Sequence, residues 1–499
     1  MIRRRPNSPL SRNRQGVATG TTSRPRPAAT VANSGSGNHV LVDGAENGQL
    51  YQYETSVKKS FDAVVPTLKK VSAYQHEEDF VARAQAVATQ ELGFELPKEI
   101  LEDAWVEQLD MRSLFAWCVF KSYQRYCDDF FSSAPLSDGL GNKSVEEFQS
   151  FIQQCGFHTM DVSPCADGRL AHAIRYVLRL PIEAVRRKSY AGAMFDIDNS
   201  IQKWVETEML RFREGKPNMA DEPTRYLKTV AYHFSSVDPT HEGCAAHGSD
   251  DALAAKQGLN RLKAFQQAIE NSFCCGASID LLLLGIDTDT DAIKVHIPDA
   301  NGEIDLEKFV DAKDVYQQTQ RLSATDATQR VEQMIREAQA SVNEGMLKLI
   351  NKLIINNLSQ IEYVIRYYGG HYEDIGHAER FIGAGIGFEE VQLRNLTYFA
   401  YLNTVEESTA DFDVGIKIFS KLNVAHGLPV PVVIRFDYHG RVPGSRERAV
   451  EHCQRVSDAA AARYSDLAEK GLLHTLLVIR DCNANGHIEI LGSSLKTAI

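Results

Sequence analysis

A chain of 499 residues is long enough for about three domains, and its 43% hydrophobic and 24% charged content is the balance of a soluble globular protein, not of a disordered or fibrous one. No run of about 18 apolar residues occurs, so no membrane-spanning helix is expected. A formal charge of −12 excludes a generally nucleic-acid-binding body.

The charge is unevenly spread, because residues 1–42 hold seven arginines and neither lysine nor acid. With Pro, Ser, Thr, Gly and Asn between them, these residues cannot bury enough apolar surface to fold alone, and residues 1–48 read as a disordered tail. An arm for an anionic partner, acidic protein or nucleic acid, is the natural use of such a segment. Pro6, Pro9, Pro25 and Pro27 spoil the amphipathic helix of an organelle transit peptide. Nine cysteines and no apolar leader place the thiols in a reducing compartment, as metal ligands or core residues.

From residue 50 to about 135, apolar residues recur at spacings of three and four, as in "EDAWVEQLDMRSLFAWCVFKSYQRY". This predicts a helical domain over 49–140 that closes with the linker "SSAPLSDGLGNKS" and places Cys118 and Cys127 in its core. Residues 141–378 alternate strands with helices. "FHTMDVSPCADG" is a strand running into a loop, "RYLKTVAYHFSS" is another strand, and "ASIDLLLLGIDTDTDAIKVHIPD" is two strands joined by an acidic turn; long helices are expected at about 252–273 and 326–366. The pattern is that of an α/β layered fold with its chemistry in loops at strand ends.

Residues 379–499 carry the apolar runs "DVGIKIF" and "VPVVIRFDYH", a helix-like "RERAVEHCQRVSDAAAARYSDLAEK" and "LLHTLLVIRDCNANGHIEIL". The last repeats the plan of "IDLLLLGIDTDTDAIKVHI": an apolar strand, an Asp-led turn, and a second strand with a histidine. A diverged internal duplication is the reading.

Chemistry concentrates after Pro164. Cys165, Asp167 and Arg169 alternate, which on an extended segment points all three side chains to one side. Downstream, His233 ends an apolar run and Cys244 follows a loop that holds a second histidine, His241. Two thiolates and an imidazole suit zinc, and three protein ligands leave the fourth position open, as in a catalytic site. A thiol or histidine alone in such a place is ordinarily a core residue; the joint pattern is what points to a metal. His241 rivals His233, since only two residues separate it from Cys244.

Other patterns are set aside. "DTDTD" at 287–291 lacks the glycine and glutamate of a calcium loop, and "GAGIG" at 383–387 lacks dinucleotide spacing. Pro164-Cys165 is not followed by the second cysteine of a zinc deaminase. Cys453 and Cys482 have no ligand-like neighbours, and adjacent Cys274 and Cys275 read as packing.

The stretches "CGFHTMDVSPCADGRL", "YAGAMFDI", "PTRYLK", "YHFSSVDPTHEGCAAHGS" and "NNLSQIEYVI" closely resemble the carboxysomal carbonic anhydrases, a diverged β-class branch once given its own ε class. The resemblance runs from about residue 50 to the end. It implies an α/β (α+β) fold of three parts: a helical N-terminal domain, a β-carbonic-anhydrase-like zinc domain over 141–378, and a degenerate copy without zinc over 379–499. It implies one zinc per chain on Cys165, His233 and Cys244, and interconversion of carbon dioxide and bicarbonate by hydroxide made available on zinc. Asp167 would orient the reacting water, and Arg169 would hold Asp167 ionised and away from the metal. His241, His247 and His377 are proton-export candidates by residue type.

The resemblance further implies a homodimer or higher oligomer in a bacterial carboxysome, tethered through the tail to Rubisco or shell proteins, with no membrane or nucleic-acid partner. The rival reading is a carboxysomal scaffold whose zinc is structural, its fourth position closed by His241, Cys155, Cys274 or Cys275.

Overall fold

The computed structural model describes residues 39–42, 44–104, 108–132, 145–181, 185–219, 221–273, 277–388, 392–401, 409–484 and 487–499. Residues 1–38 of the predicted tail and 133–144 of the predicted linker lie outside the described residues, while the end of the predicted tail is ordered: His39 is buried with its N–H on Glu362, and the first helix begins at Ala45.

Helices come first: α1 (Ala45–Asp62), α2 (Val64–Ala73), α3 (Phe80–Leu92), α4 (Lys98–Asp103) and α5 (Met111–Ser132). Apolar residues three and four apart give each a buried stripe, Val64, Leu68 and Val71 on α2 and Phe80, Ala84 and Ala88 on α3. Helix α5 is buried nearly all round, from Leu114 without a break to Phe120, with both Cys118 and Cys127 in the core as expected.

A first sheet follows. Its elements are α6 (Val145–Gln154), β1 (Thr159–Pro164), β2 (Arg186–Arg187), α7 (Ile197–Arg213), β3 (Thr224–Phe234), α8 (Asp251–Phe273), β4 (Ala277–Asp287), β5 (Ile293–Pro298), β6 (Ile304–Asp311), α9 (Ala312–Thr319), α10 (Ala324–Ala338) and α11 (Glu344–Tyr368). The strand order is β2-β1-β3-β4-β5-β6, parallel as far as β4 and antiparallel beyond it. β3 lies at its centre, and from Tyr226 to His233 the strand is buried without interruption, as both faces of a parallel sheet require.

The single helix expected over 326–366 is two helices. Gln339 leaves α10 in an extended conformation, and the Asn343 side chain restarts the helix by accepting from the N–H groups of Gly345 and Met346. Glycine is required at 345, because a Cβ there would stand 2.1 Å from the Cys155 carbonyl oxygen.

The last part contains β7 (Phe381–Ile386), β8 (Thr397–Tyr401), α12 (Thr409–Leu422), β9 (Val430–Tyr438), α13 (Ser445–Arg463), α14 (Ser465–Glu469), β10 (Leu473–Asp481) and β11 (Glu489–Ser493). Their order is β11-β10-β9-β7-β8, parallel except for the β10–β11 hairpin. Matching β7 to β1, β8 to β2, β9 to β3, β10 to β4 and β11 to β5 reproduces the neighbours and directions of five of the first sheet's six strands, β6 having no counterpart, so the duplication suggested by two hairpin sequences extends through five strands. "DVGIKIF" is not a strand of this copy; it lies within α12.

Candidate metal centre

β1 delivers Cys165 to the edge of the first sheet. Its N–H donates to the Ala231 carbonyl of β3, and the residue bridges Tyr190 on the other side. Beyond it the chain does not stay extended. Asp167 caps a tight turn, Gly168–Leu170, by accepting from the Arg169 N–H at 2.9 Å. Cys165, Asp167 and Arg169 do converge, but a turn brings them together, not strand alternation.

His233 comes from the last turn of the pleat on β3, and Cys244 opens a short turn over Ala245–His247. Ligand atoms of Cys165, His233 and Cys244 all lie within 4.8 Å of one another, and all three residues are buried. His241 lies outside this group. Its side chain is 77% exposed and pairs with Asp238 at 2.9 Å. Cys155 also lies apart, its thiol pushed up to about 11 by burial. Cys274 and Cys275 lie outside the described residues.

The three-residue group has the chemistry of a cation site. Among the described residues neither ring nitrogen of His233, a completely buried residue, makes a hydrogen bond, although Nε2 stands 3.4 Å from Asp167 Oδ2. An imidazole left so costs on the order of 1–3 kcal/mol unless something answers it. Cys165, hydrogen-bonded to Cys244 and buried, is held well above the usual thiol range. Cys244 is lowered, first because Cys165 donates to it and then, against burial, by the N–H groups of Ala246 and His247. Two sulfurs sharing one proton beside an unpartnered imidazole fit a zinc ion, which binds thiolate and neutral imidazole.

Asp167 and Arg169 form one locked unit. The guanidinium is fully buried; Nε and Nη2 donate to the two oxygens of Asp167 at 3.0 and 2.8 Å, and Nη1 to the carbonyls of Glu242 at 2.6 Å and Ile375 at 3.0 Å. Burial raises the Asp167 pKa, but Arg169, His377 and His233 outweigh it and hold the carboxyl well below the ordinary range. Asp167 therefore stays ionised with both oxygens tied toward Arg169, while Oδ2 stands 3.4 Å from His233 Nε2.

The loop between the two sheets completes the site. His377 Nε2 lies 3.7 Å from Asp167 Oδ2, and His377 Nδ1 lies 2.9 Å from Glu379 Oε1, which also accepts from the Gly168 N–H at 3.2 Å. Burial lowers the His377 pKa, yet Asp167 and Glu379 raise it to about 9. His247 lies behind the cavity's Gly192, its Nε2 3.1 Å from that residue's carbonyl. Of the three histidines named by residue type, His377 is the one beside Asp167. Glu379 was missed, and no local spacing could have revealed it, because it reaches Gly168 from 211 residues away. Tyr398 lines the same cavity, whose free space is about 10 Å³.

Three family models match the chain: the carboxysome shell carbonic anhydrase N-terminal region at residues 39–131, its catalytic domain at 147–377 and its C-terminal region at 378–495. A carboxysome shell carbonic anhydrase of Prochlorococcus marinus (strain MIT 9313) is 56% identical over 494 residues, 99% of this chain and 96% of that protein. One from Parasynechococcus marenigrum (strain WH8102) is 56% identical over 92% of this chain and 79% of its own length. One from Halothiobacillus neapolitanus is 46% identical over 91% of this chain and 90% of its own.

Proposed function

The chain belongs to the carboxysome shell carbonic anhydrase family, and from that premise we propose that it interconverts carbon dioxide and bicarbonate at one zinc ion per chain, held by Cys165, His233 and Cys244. The observation that carries the zinc assignment is the buried, unpartnered His233 imidazole within reach of two thiols. When bound, zinc is a Lewis acid that brings the pKa of water from 15.7 toward about 7, so that a nucleophile is available at neutral pH.

The chain's own residues do the rest. Ionised Asp167 is an acceptor that orients the reacting water, and Arg169 fixes that acceptor by occupying both of its oxygens, which also keeps Asp167 from becoming a ligand. With its pKa raised to about 9 by Asp167 and Glu379, His377 is a cation at neutral pH that helps hold Asp167 ionised, and it can exchange a proton with the site only toward that pH.

The same proposal covers the setting. The enzyme works inside a carboxysome and supplies carbon dioxide to Rubisco, as a homodimer or larger oligomer, with the arginine-rich tail 1–48 docking on acidic protein surface. Its parts are 49–140, 141–378 and 379–499, close to the limits of the three family models.

Stopped-flow carbon dioxide hydration with the purified protein, together with zinc analysis, tests the reading. Cys165→Ser should lose both metal and activity, while Asp167→Ala should keep zinc and lose activity. Wild-type protein that carries no zinc, or is inactive with it, refutes the assignment.

A further inference from the structure

Tyr398 sits on β8, at the edge of the second sheet, yet it belongs to the metal centre. Two backbone bonds fasten its segment to the Cys165–Arg169 turn: the Asn395 N–H donates to the Gly168 carbonyl at 2.8 Å, and the Phe399 N–H to the Ala166 carbonyl at 3.5 Å. Its ring lies flush on Gly415 of α12, where a Cβ would come within 2.8 Å of the ring's Cδ1. The side chain thus lines the cavity that holds Cys165, Asp167, His233, Cys244 and His377.

The phenol is 1% exposed, and its hydroxyl has no hydrogen-bond partner among the described residues. Leaving such a group unmade costs on the order of 1–3 kcal/mol, so its place in a reaction cavity calls for a ligand. Most other side-chain donors around the cavity are engaged. Arg169 is spent on Asp167 and two carbonyls, His247 is at the Gly192 carbonyl, and His377 spends Nδ1 on Glu379, its Nε2 standing 3.7 Å from Asp167 Oδ2. Asp167 and the sulfurs are acceptors. A carboxylate-like product with three oxygens would otherwise meet few donors besides His377 Nε2.

We propose that Tyr398 is a catalytic residue: its hydroxyl donates a hydrogen bond to an oxygen of bicarbonate, and to the same oxygen of carbon dioxide as it is hydrated. This rests on the carbonic anhydrase reading above. Carbon dioxide is linear, uncharged and a weak acceptor, whereas negative charge grows on its oxygens as the new C–O bond forms. A fixed donor at that position therefore stabilises the transition state more than the ground state. A phenol keeps its proton at neutral pH, so the group is available as a donor. Among the described residues Asp411 is the charged group that bears most on it, and that carboxylate already accepts from the Ala191 N–H at 2.7 Å.

Tyr398→Phe keeps the ring on Gly415 and removes only the hydroxyl. Three measurements are made on this variant and the wild type: zinc content, hydration and dehydration kinetics, and calorimetric titration with bicarbonate. The expected result is unchanged zinc, kcat/KM for hydration reduced about tenfold or more, and bicarbonate affinity weakened at least about fivefold. Kinetics within twofold of wild type with unchanged bicarbonate affinity overturns the proposal. So does a matching shift in melting temperature in Tyr398→Phe and Asp411→Asn without loss of bicarbonate affinity, because the hydroxyl then serves Asp411. If the wild type itself lacks zinc or activity, the metal-site reading falls and this one with it; an active wild type beside an unaffected variant sinks only the role of Tyr398.

Discussion

Replacing Arg169 by methionine tests the locked Asp167–Arg169 unit directly. The change keeps an unbranched, similar-sized chain and deletes a fully buried guanidinium. Two charge-assisted bonds to Asp167 disappear, and the carbonyls of Glu242 and Ile375 lose their donor. Removing one partner of a buried ion pair costs about 3–5 kcal/mol, mostly because the remaining charge is left uncompensated. Unfolding entropy of about 2.1 cal/mol/K per residue gives roughly 1 kcal/mol/K for a chain of this size, so the melting temperature should fall by about 3–5 °C.

Catalysis should fall much further, because the carboxylate that orients water is no longer fixed. The double variant Asp167→Asn, Arg169→Met separates the two effects. With both charges gone the stability loss should shrink by about 2 kcal/mol relative to the sum of the single variants, while activity stays absent. Calorimetry and stopped-flow hydration provide the readings. Additivity of the stability losses within about 0.5 kcal/mol, or an Arg169→Met enzyme within twofold of wild type, would show that the pair is not a unit.

Gly168→Ala places a Cβ 2.4 Å from Glu379 Cγ and should lower the melting temperature and activity together; adding Glu379→Ala should restore the first and not the second. Burial pushes Asp411 from 3.8 up to about 6, against the Ala191 N–H and Lys188. The folded chain then keeps a proton that the unfolded chain loses above pH 3.8, so stability falls as pH rises from about 4 through about 6 and is level above. Asp411→Asn should flatten that slope, with a gain of up to ~3 kcal/mol at pH 8 and little change at pH 4; an unchanged denaturation profile against pH argues against the buried carboxylate. His377→Asn should reduce kcat more than kcat/KM and respond to added imidazole, whereas equal losses with no buffer rescue would remove it from the proton path.

Much of this was legible in the chain because the first sheet obeys local rules. The strands "TMDVSP", "TRYLKTVAYHF" and "ASIDLLLLGID" announce themselves by continuous apolar runs, and the chemistry lies where two of them end. The preference for His233 over His241 rests on the family resemblance as well as on its place at the end of an apolar run; in the structure His233 stands at a buried strand end, while His241 lies exposed and pairs with Asp238. What stayed hidden depends on contacts without a sequence period. Glu379 and Tyr398 reach the Cys165–Arg169 turn across more than 200 residues, through bonds such as Asn395 N–H to the Gly168 carbonyl, and His377, named only by its residue type, does so beside them. The break between α10 and α11 was hidden too, since "AQASVNEGM" continues an apolar rhythm and stops the helix only through Asn343 and the close approach of Gly345 to Cys155.

Two sheets of one topology have opposite fates, and the residues at their strand ends explain why. Where β1 and β3 end in Cys165 and His233, β9 ends in Arg435 and Asp437, a buried pair with Nε and Nη2 at 2.6 and 3.0 Å from the carboxylate. Arg480 of β10 adds a second guanidinium 3.6 Å from Asp437 and 3.9 Å from the centre of the Phe131 ring of α5, and Tyr123 of the same helix bonds Arg435 at 3.0 Å. Asp437 thus has its carboxylate spent on Arg435 and a second guanidinium beside it, and among the described residues no group of three metal-ligating side chains gathers at this strand end. Where the first sheet gathers Cys165 and His233, the second holds an internal ion pair packed against the helical N-terminal part. Its outer strand β8 and the loop ahead of β7 still face the first site, where they supply His377, Glu379 and Tyr398. A copy whose own strand ends are tied up in an ion pair thus still lends side chains to the cluster of its twin.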